Sequence, residues 1–256
     1  LGVAIGPISI TLIIGVMALG WRQVYLFWFI PFVLGILAML PIRAEPKEEE
    51  PPAAEGQPAG TQVTKLLSAS LIMFLIFIGV RTFAAGMSQS FMALYLVGDR
   101  GMSTSQASLY IGLNTLVGVI AAPFGGFLAV RFGEKRWLLI VLGLAYVFFG
   151  LAIVVPNNAA FVFFYMLYGF LTFLGMAANS AIMARLSPGK QRGLAYGLFF
   201  LPGSLMGAVS PLVAASIADV WSLATVLVVS TITFFLSLLV LQFGVKVKTT
   251  TQEAAA

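Results

Sequence analysis

The sequence predicts an all-α polytopic membrane protein with eight transmembrane helices, and three observations lead to that fold class. Hydrophobic residues fill 60% of the 256 positions, charged residues 9%, and the mean hydropathy is +1.03, far outside the soluble range. A water-soluble fold of this length needs a mostly polar surface, which 14 basic and 9 acidic side chains do not supply. Uncharged runs of roughly 20 residues, enough to cross a bilayer at about 1.5 Å per residue, recur along the chain. The basic residues alternate from loop to loop.

In chain order the predicted spans are 2–20, 24–41, 67–97, 104–130, 137–155, 159–184, 194–218 and 221–245. The first two precede a soluble insertion, IRAEPKEEEPPAAEGQPAGTQVT, rich in Pro, Glu, Ala and Gly. Such a segment buries too little apolar surface to offset its ordering entropy and reads as a disordered linker. A regulatory tail carrying the acidic patch Glu48–Glu50 is the alternative reading. The chain thus divides into two spans (1–41), a linker (42–66), and six spans with a short tail (67–256).

Assigning successive loops to opposite sides gathers eleven basic residues on one: Arg43, Lys47, Lys65, Arg131, Lys135, Arg136, Arg185, Lys190, Arg192, Lys246 and Lys248. Only Arg22 and Arg100 fall on the other, and Arg81 belongs to neither. This bias places the linker and both termini in the cytoplasm, and makes the pI of 9.6 a topology signal, with no nucleic-acid partner implied. The absence of His and Cys removes imidazole ligands and thiol chemistry from consideration. No metal or cofactor site is expected. The chain starts at Leu1, already at the edge of an apolar run, and reads as a fragment whose N-terminal part is missing.

Two basic loops carry pattern: GGFLAVRFGEKRW at 125–137 and RLSPGKQRGLAYG at 185–197. The first resembles the signature loop of the major facilitator superfamily of secondary transporters, roughly Gly-x-Leu-Ala-Asp-Arg-x-Gly-Arg-Lys-Arg. Gly126, Leu128, Ala129, Arg131, Gly133, Lys135 and Arg136 fit. Val130 stands where the family has Asp and Glu134 where it has a basic residue, departures that bear on any gating ion pair from this loop. Pro188, Arg192 and Gly193 in the second loop, the long linker, and GVAIGP at 2–7 strengthen the resemblance, although Ile10 and Thr11 replace the paired glycines that should follow that last motif. The resemblance implies that spans one and two are the family's fifth and sixth helices and that the last six form a complete C-terminal half. Glycine at this loop lets two helices approach closely, and its basic cluster suits anionic headgroups. The alternative is an ordinary basic loop with a tight turn.

Small residues support close packing of helices in lipid. On a 100° wheel Gly197, Ser204, Ala208, Pro211 and Ala215 line one face of the seventh span, with Gly193 and Gly207 near its edge, and the fourth adds Gly112, Gly118, Pro123, Gly125 and Gly126.

Polar residues inside spans are costly and tend to face a cavity. On the third span Arg81, Ala85, Ser88 and Met92 share a face, with Gln89 at its margin. On the sixth, Tyr165, Tyr168, Thr172, Met176, Asn179 and Met183 form a ladder, and Asn114 joins from the fourth. Each has a plainer role open to it. Arg81 can snorkel toward the basic boundary, the tyrosines can form an interfacial belt, the asparagines can bond a neighbouring helix, and Ser88 and Thr172 can bond their own preceding turn.

The expected function is secondary active transport of a small solute by alternating access, with efflux of a drug or organic anion favoured and a cell-membrane location. Arg81, Ser88, Gln89, Asn114, Tyr165, Tyr168, Thr172 and Asn179 would contact the solute, and the 126–136 motif would serve the inner interface. A coupling proton or other ion is a further expected partner, but every carboxylate lies in the linker, a loop or the tail. A non-transporting scaffold or receptor is one rival. A membrane enzyme acting on lipid headgroups is the other, and the sequence lacks the clustered acids or His it would need, so no enzyme is expected.

Overall fold

The computed structural model describes residues 10–16, 21–39, 68–186 and 192–246. Their regular structure is helical throughout: a π-helical turn (Thr11–Val16), then α1 (Trp21–Met39), α2 (Ala69–Gly98), α3 (Thr104–Phe132), α4 (Glu134–Val154), α5 (Asn158–Leu174), α6 (Met176–Leu186), α7 (Arg192–Val220) and α8 (Leu223–Gly244). Among the described residues six helical stretches are long and apolar enough to cross a membrane, and they match the last six expected spans, with α5 and α6 together forming one. Helix α1 covers most of the second expected span. Of the first, the π-helical turn is described; Thr11 Oγ1 donates to the Ser105 carbonyl at 3.2 Å, placing the turn beside the start of α3. The linker at 42–66, GVAIGP, and Pro188 and Lys190 lie outside the described residues.

Helix starts follow local chemistry. Ser68 accepts from the Leu71 N–H, Ser103 and Gln106 form a reciprocal capping box, Asn157 accepts from Ala159 and Ala160, and Ser222 accepts from Thr225. The basic residues Arg131, Lys135, Arg136, Arg185 and Lys246 gather at one end of the bundle, hereafter the basic end. Arg100 sits at the opposite, far end.

Where the sequence suggests a basic loop at 125–137, the structure has helix up to Phe132, one residue of turn, and helix again from Glu134. The turn is Gly133 with φ +83°, a conformation that a Cβ makes costly. The core runs between α2, α4, α5 and α8, where Phe74, Phe77, Tyr146, Phe149, Phe161 and Phe234 are buried. Tyr146 stacks on Phe234 with centroids 4.5 Å apart.

The expected continuous sixth span breaks at Gly175. A Cβ on Gly125 would collide with the Leu174 backbone, so α3 and α5 touch backbone to backbone at the break. The Trp137 indole N–H donates to the Leu174 carbonyl at 3.3 Å and supplies a partner there. Gly125, not Gly126, makes this close approach, since Gly126 has only ordinary contact with Ala177.

The small-residue face of α7 is also rotated from expectation. Helix α7 packs on α2 through Gly207, Ser210 and Ala214, with Gly86 of α2 directly against Ser210. Gly197, Ser204 and Ala208 are exposed. A wheel ranks faces by residue size, whereas the contact forms where the partner helix also lacks a side chain.

Candidate functional site

The candidate polar residues line two cavities. The first, about 420 Å³, lies between α2, α3, α4 and α5 and is bordered by Ser88, Gln89, Asn114, Tyr165, Tyr168 and Thr172, with Phe149 and Phe173 completing an aromatic wall. It holds no charged side chain. The second, about 450 Å³, lies between α2, α6 and α7 and is bordered by Arg81, Thr82, Ala85, Asn179, Phe199 and Ser204. The single face expected on α2 is thus divided, with Arg81 and Ala85 on one cavity and Ser88 and Met92 on the other.

The α5 ladder divides in the same way, because Gly175 interrupts the helical register. Tyr165, Tyr168 and Thr172 keep to the neutral cavity, Asn179 joins Arg81, Met176 turns outward and Met183 is buried. Tyr165 stacks between Phe161 and Tyr168 at centroid distances of 5.6 and 6.1 Å. Both tyrosines therefore face the cavity and not a lipid belt. Asn114 donates its Nδ2–H to the Tyr165 carbonyl, and Gly169 leaves the room for its amide. It fastens α3 to α5 and borders the cavity at once. Ser88 bonds its own preceding turn, donating to the Ala85 carbonyl at 3.0 Å. Thr172 does not: its buried Oγ1 lies beside the Tyr168 hydroxyl without a hydrogen bond of normal geometry. Asn179 Oδ1 is likewise buried and unpartnered.

Arg81 is the one charged side chain in either wall. It lies twelve residues after Ala69, about 18 Å along the helix, and borders a cavity, which favours that placement over snorkelling. Among the described residues no carboxylate pairs with it. The Tyr146 hydroxyl on α4 neighbours Arg81, and Ser237 on α8 neighbours that hydroxyl in turn. Ser237 donates to the Phe234 carbonyl at 2.6 Å, while the buried Tyr146 hydroxyl completes no bond of normal geometry. Tyr146 is the site neighbour that sequence reasoning missed. Its signal was a hydroxyl in the interior of a span, away from both interfacial ends.

Of the basic-end motif, Arg131 and Arg136 are exposed and Gly133 makes the turn. Lys135 reaches the last carbonyls of α8, donating to Gln242 at 2.8 Å and Val245 at 2.6 Å. Glu134, at the family's basic position, accepts from Arg185 at 2.9 Å.

The comparisons with known proteins agree with this architecture. The sequence model of the Major Facilitator Superfamily matches residues 74–255. An uncharacterized MFS-type transporter, YqjV, of Bacillus subtilis (strain 168) is 33% identical over 118 residues, 45% of this chain and 28% of the relative. The MFS transporter asaE of Aspergillus flavus is 26% identical over 219 residues, 84% of this chain and 48% of the relative. The chain therefore spans about half or less of the length of these curated relatives. Among solved structures, an inward-facing, occupied bacterial homologue of the human lysosomal transporter Spinster superposes with a TM-score of 0.67 at 15% identity, covering 88% of this chain and 58% of that one. A peptide transporter, POT, gives 0.59 at 19% identity, covering 73% and 41%. With the family match spanning well over half its length and the bundle superposing on solved members of the same fold, the chain belongs to the major facilitator superfamily and is an integral multi-pass membrane protein.

Proposed function

We propose that this protein is a secondary active transporter that exports a small organic anion or anionic drug by alternating access, with the basic end in the cytoplasm. One observation carries the reading: Arg81, a permanent cation with no described carboxylate partner, borders a cavity inside a bundle otherwise lined by apolar and neutral groups. A buried cation is costly unless something neutralises it, and a solute that brings the opposite charge does so. The neutral cavity next to it offers hydroxyls, amides and aromatic faces to the rest of the solute.

The test is flux of labelled organic anions in inside-out vesicles carrying the whole transporter. Export predicts uptake into such vesicles, and Arg81→Gln lowers the rate for anions at least about tenfold, worth about 1.4 kcal/mol. Unchanged flux in Arg81→Gln removes Arg81 from the solute site. No flux of any solute in the native protein favours a scaffold or receptor.

A further inference from the structure

We infer that one solute occupies both cavities at once: its anionic group sits at Arg81 and Asn179, and an aromatic body sits against Tyr165, Tyr168 and Phe149. This inference rests on the organic-anion reading above and adds the shape of the molecule. Size is the first reason. Ligand pockets run to about 300–1,000 Å³, and the cavities, at about 420 and 450 Å³, lie toward the lower end, so a molecule with a charged head in one and a ring in the other uses room that each offers.

Continuity is the second reason. Helix α2 borders the Arg81 cavity with Ala85 and the neutral cavity with Ser88, less than one turn further on. On the facing side Thr172 and Asn179 divide in the same sense.

Unfilled polar capacity is the third. Asn179 Oδ1, in the wall of the Arg81 cavity, is buried without a partner, and in a membrane interior such a group calls for one. A carboxylate or sulfonate accepts two parallel N–H bonds from a guanidinium, and the Asn179 amide, turned, adds an N–H donor. From Arg81 to Ser88 is seven residues, so charge and ring are separated by about 10 Å along the helix axis.

The substrate class is therefore an aryl monoanion with a spacer of that length. The test is equilibrium binding to the whole transporter in detergent or nanodiscs, using phenyloctanoate, the shorter phenylacetate and the uncharged phenyloctanamide. Phenyloctanoate is expected to bind at least about tenfold tighter than either. Arg81→Gln should erase its advantage over the amide and leave the amide unchanged, whereas Arg81→Lys should keep some of it, showing that the site still folds. Tyr168→Leu should weaken phenyloctanoate and phenyloctanamide alike, with little effect on phenylacetate. Equal affinity for phenylacetate and phenyloctanoate, with both still transported through Arg81, overturns the two-compartment inference and leaves organic-anion transport standing. Absence of Arg81-dependent binding for every anion overturns both.

Discussion

Two helix C-termini in this bundle are capped by a cation reaching over from a neighbouring hairpin, and the two caps are built differently. At the far end Arg100 spreads its guanidinium over the end of α4. It donates to the Ala152, Ile153 and Pro156 carbonyls at 2.9, 3.0 and 3.2 Å, and to the Tyr95 hydroxyl at 2.9 Å. It also lies 5.4 and 4.9 Å from the Tyr95 and Phe161 ring centres. At the basic end Lys135 touches two carbonyls of α8; beside it Glu134 pairs with Arg185, whose side chain is 37% exposed, and the Lys246 N–H donates to Ser70 Oγ at 3.3 Å.

Both cations sit where the helix dipole and the unpaired carbonyls favour positive charge. The planar fork fills several sites at once and stacks on rings, while the ammonium acts as a point charge. The far-end cap therefore joins three carbonyls, a hydroxyl and two rings through one side chain, whereas the Lys135 cap joins two carbonyls. Under the proposed alternating-access cycle, the expected outcome is that the basic end opens more easily than the far end.

The largest break in that comparison should come from Arg100→Ala. Losing charge-assisted bonds to carbonyls that stay desolvated is expected to cost about 3 kcal/mol, read as a lower melting temperature in detergent. Arg100→Lys should recover less than half, since one ammonium does not reproduce the fork. Lys135→Met comes next, at about 1–2 kcal/mol. Its clearer readout is conformational, because the chain contains no cysteine and Ser204→Cys, bordering the Arg81 cavity, reports access with an impermeant maleimide. Labelling should speed up in Lys135→Met and stay unchanged in Arg100→Lys. The smallest effect is Glu134→Gln, at about 0.2–1 kcal/mol, matched in the native protein by high salt. If Glu134→Gln destabilises as much as Arg100→Ala, the two ends are equivalent and the asymmetry fails.

Arg81, Ser88 and Tyr168 were legible in the sequence as cavity residues because a polar side chain within an apolar span advertises its cost. That they divide between two cavities was not, since the division depends on the break at Gly175 and on which faces of α5, α6 and α7 meet α2. The break was hidden because its causes, Gly125 and Trp137, lie on other helices. Tyr146 was passed over because a tyrosine in a span carries no charge and reads as one more aromatic among many. Lys135 and Arg136 were legible as basic-end residues, but their place in the first turn of α4 was not, since cations there oppose the dipole and only a distant acceptor, the end of α8, offsets that.

The sequence by itself determined that this chain lives in lipid, where its helices lie and which end is basic, because hydropathy and charge act on each segment independently of its neighbours. Only the tertiary structure decided which glycines meet a backbone, which cation caps which helix, and that the polar residues enclose two adjoining spaces. Those outcomes depend on pairs of surfaces, and no single segment carries the complement of its own face.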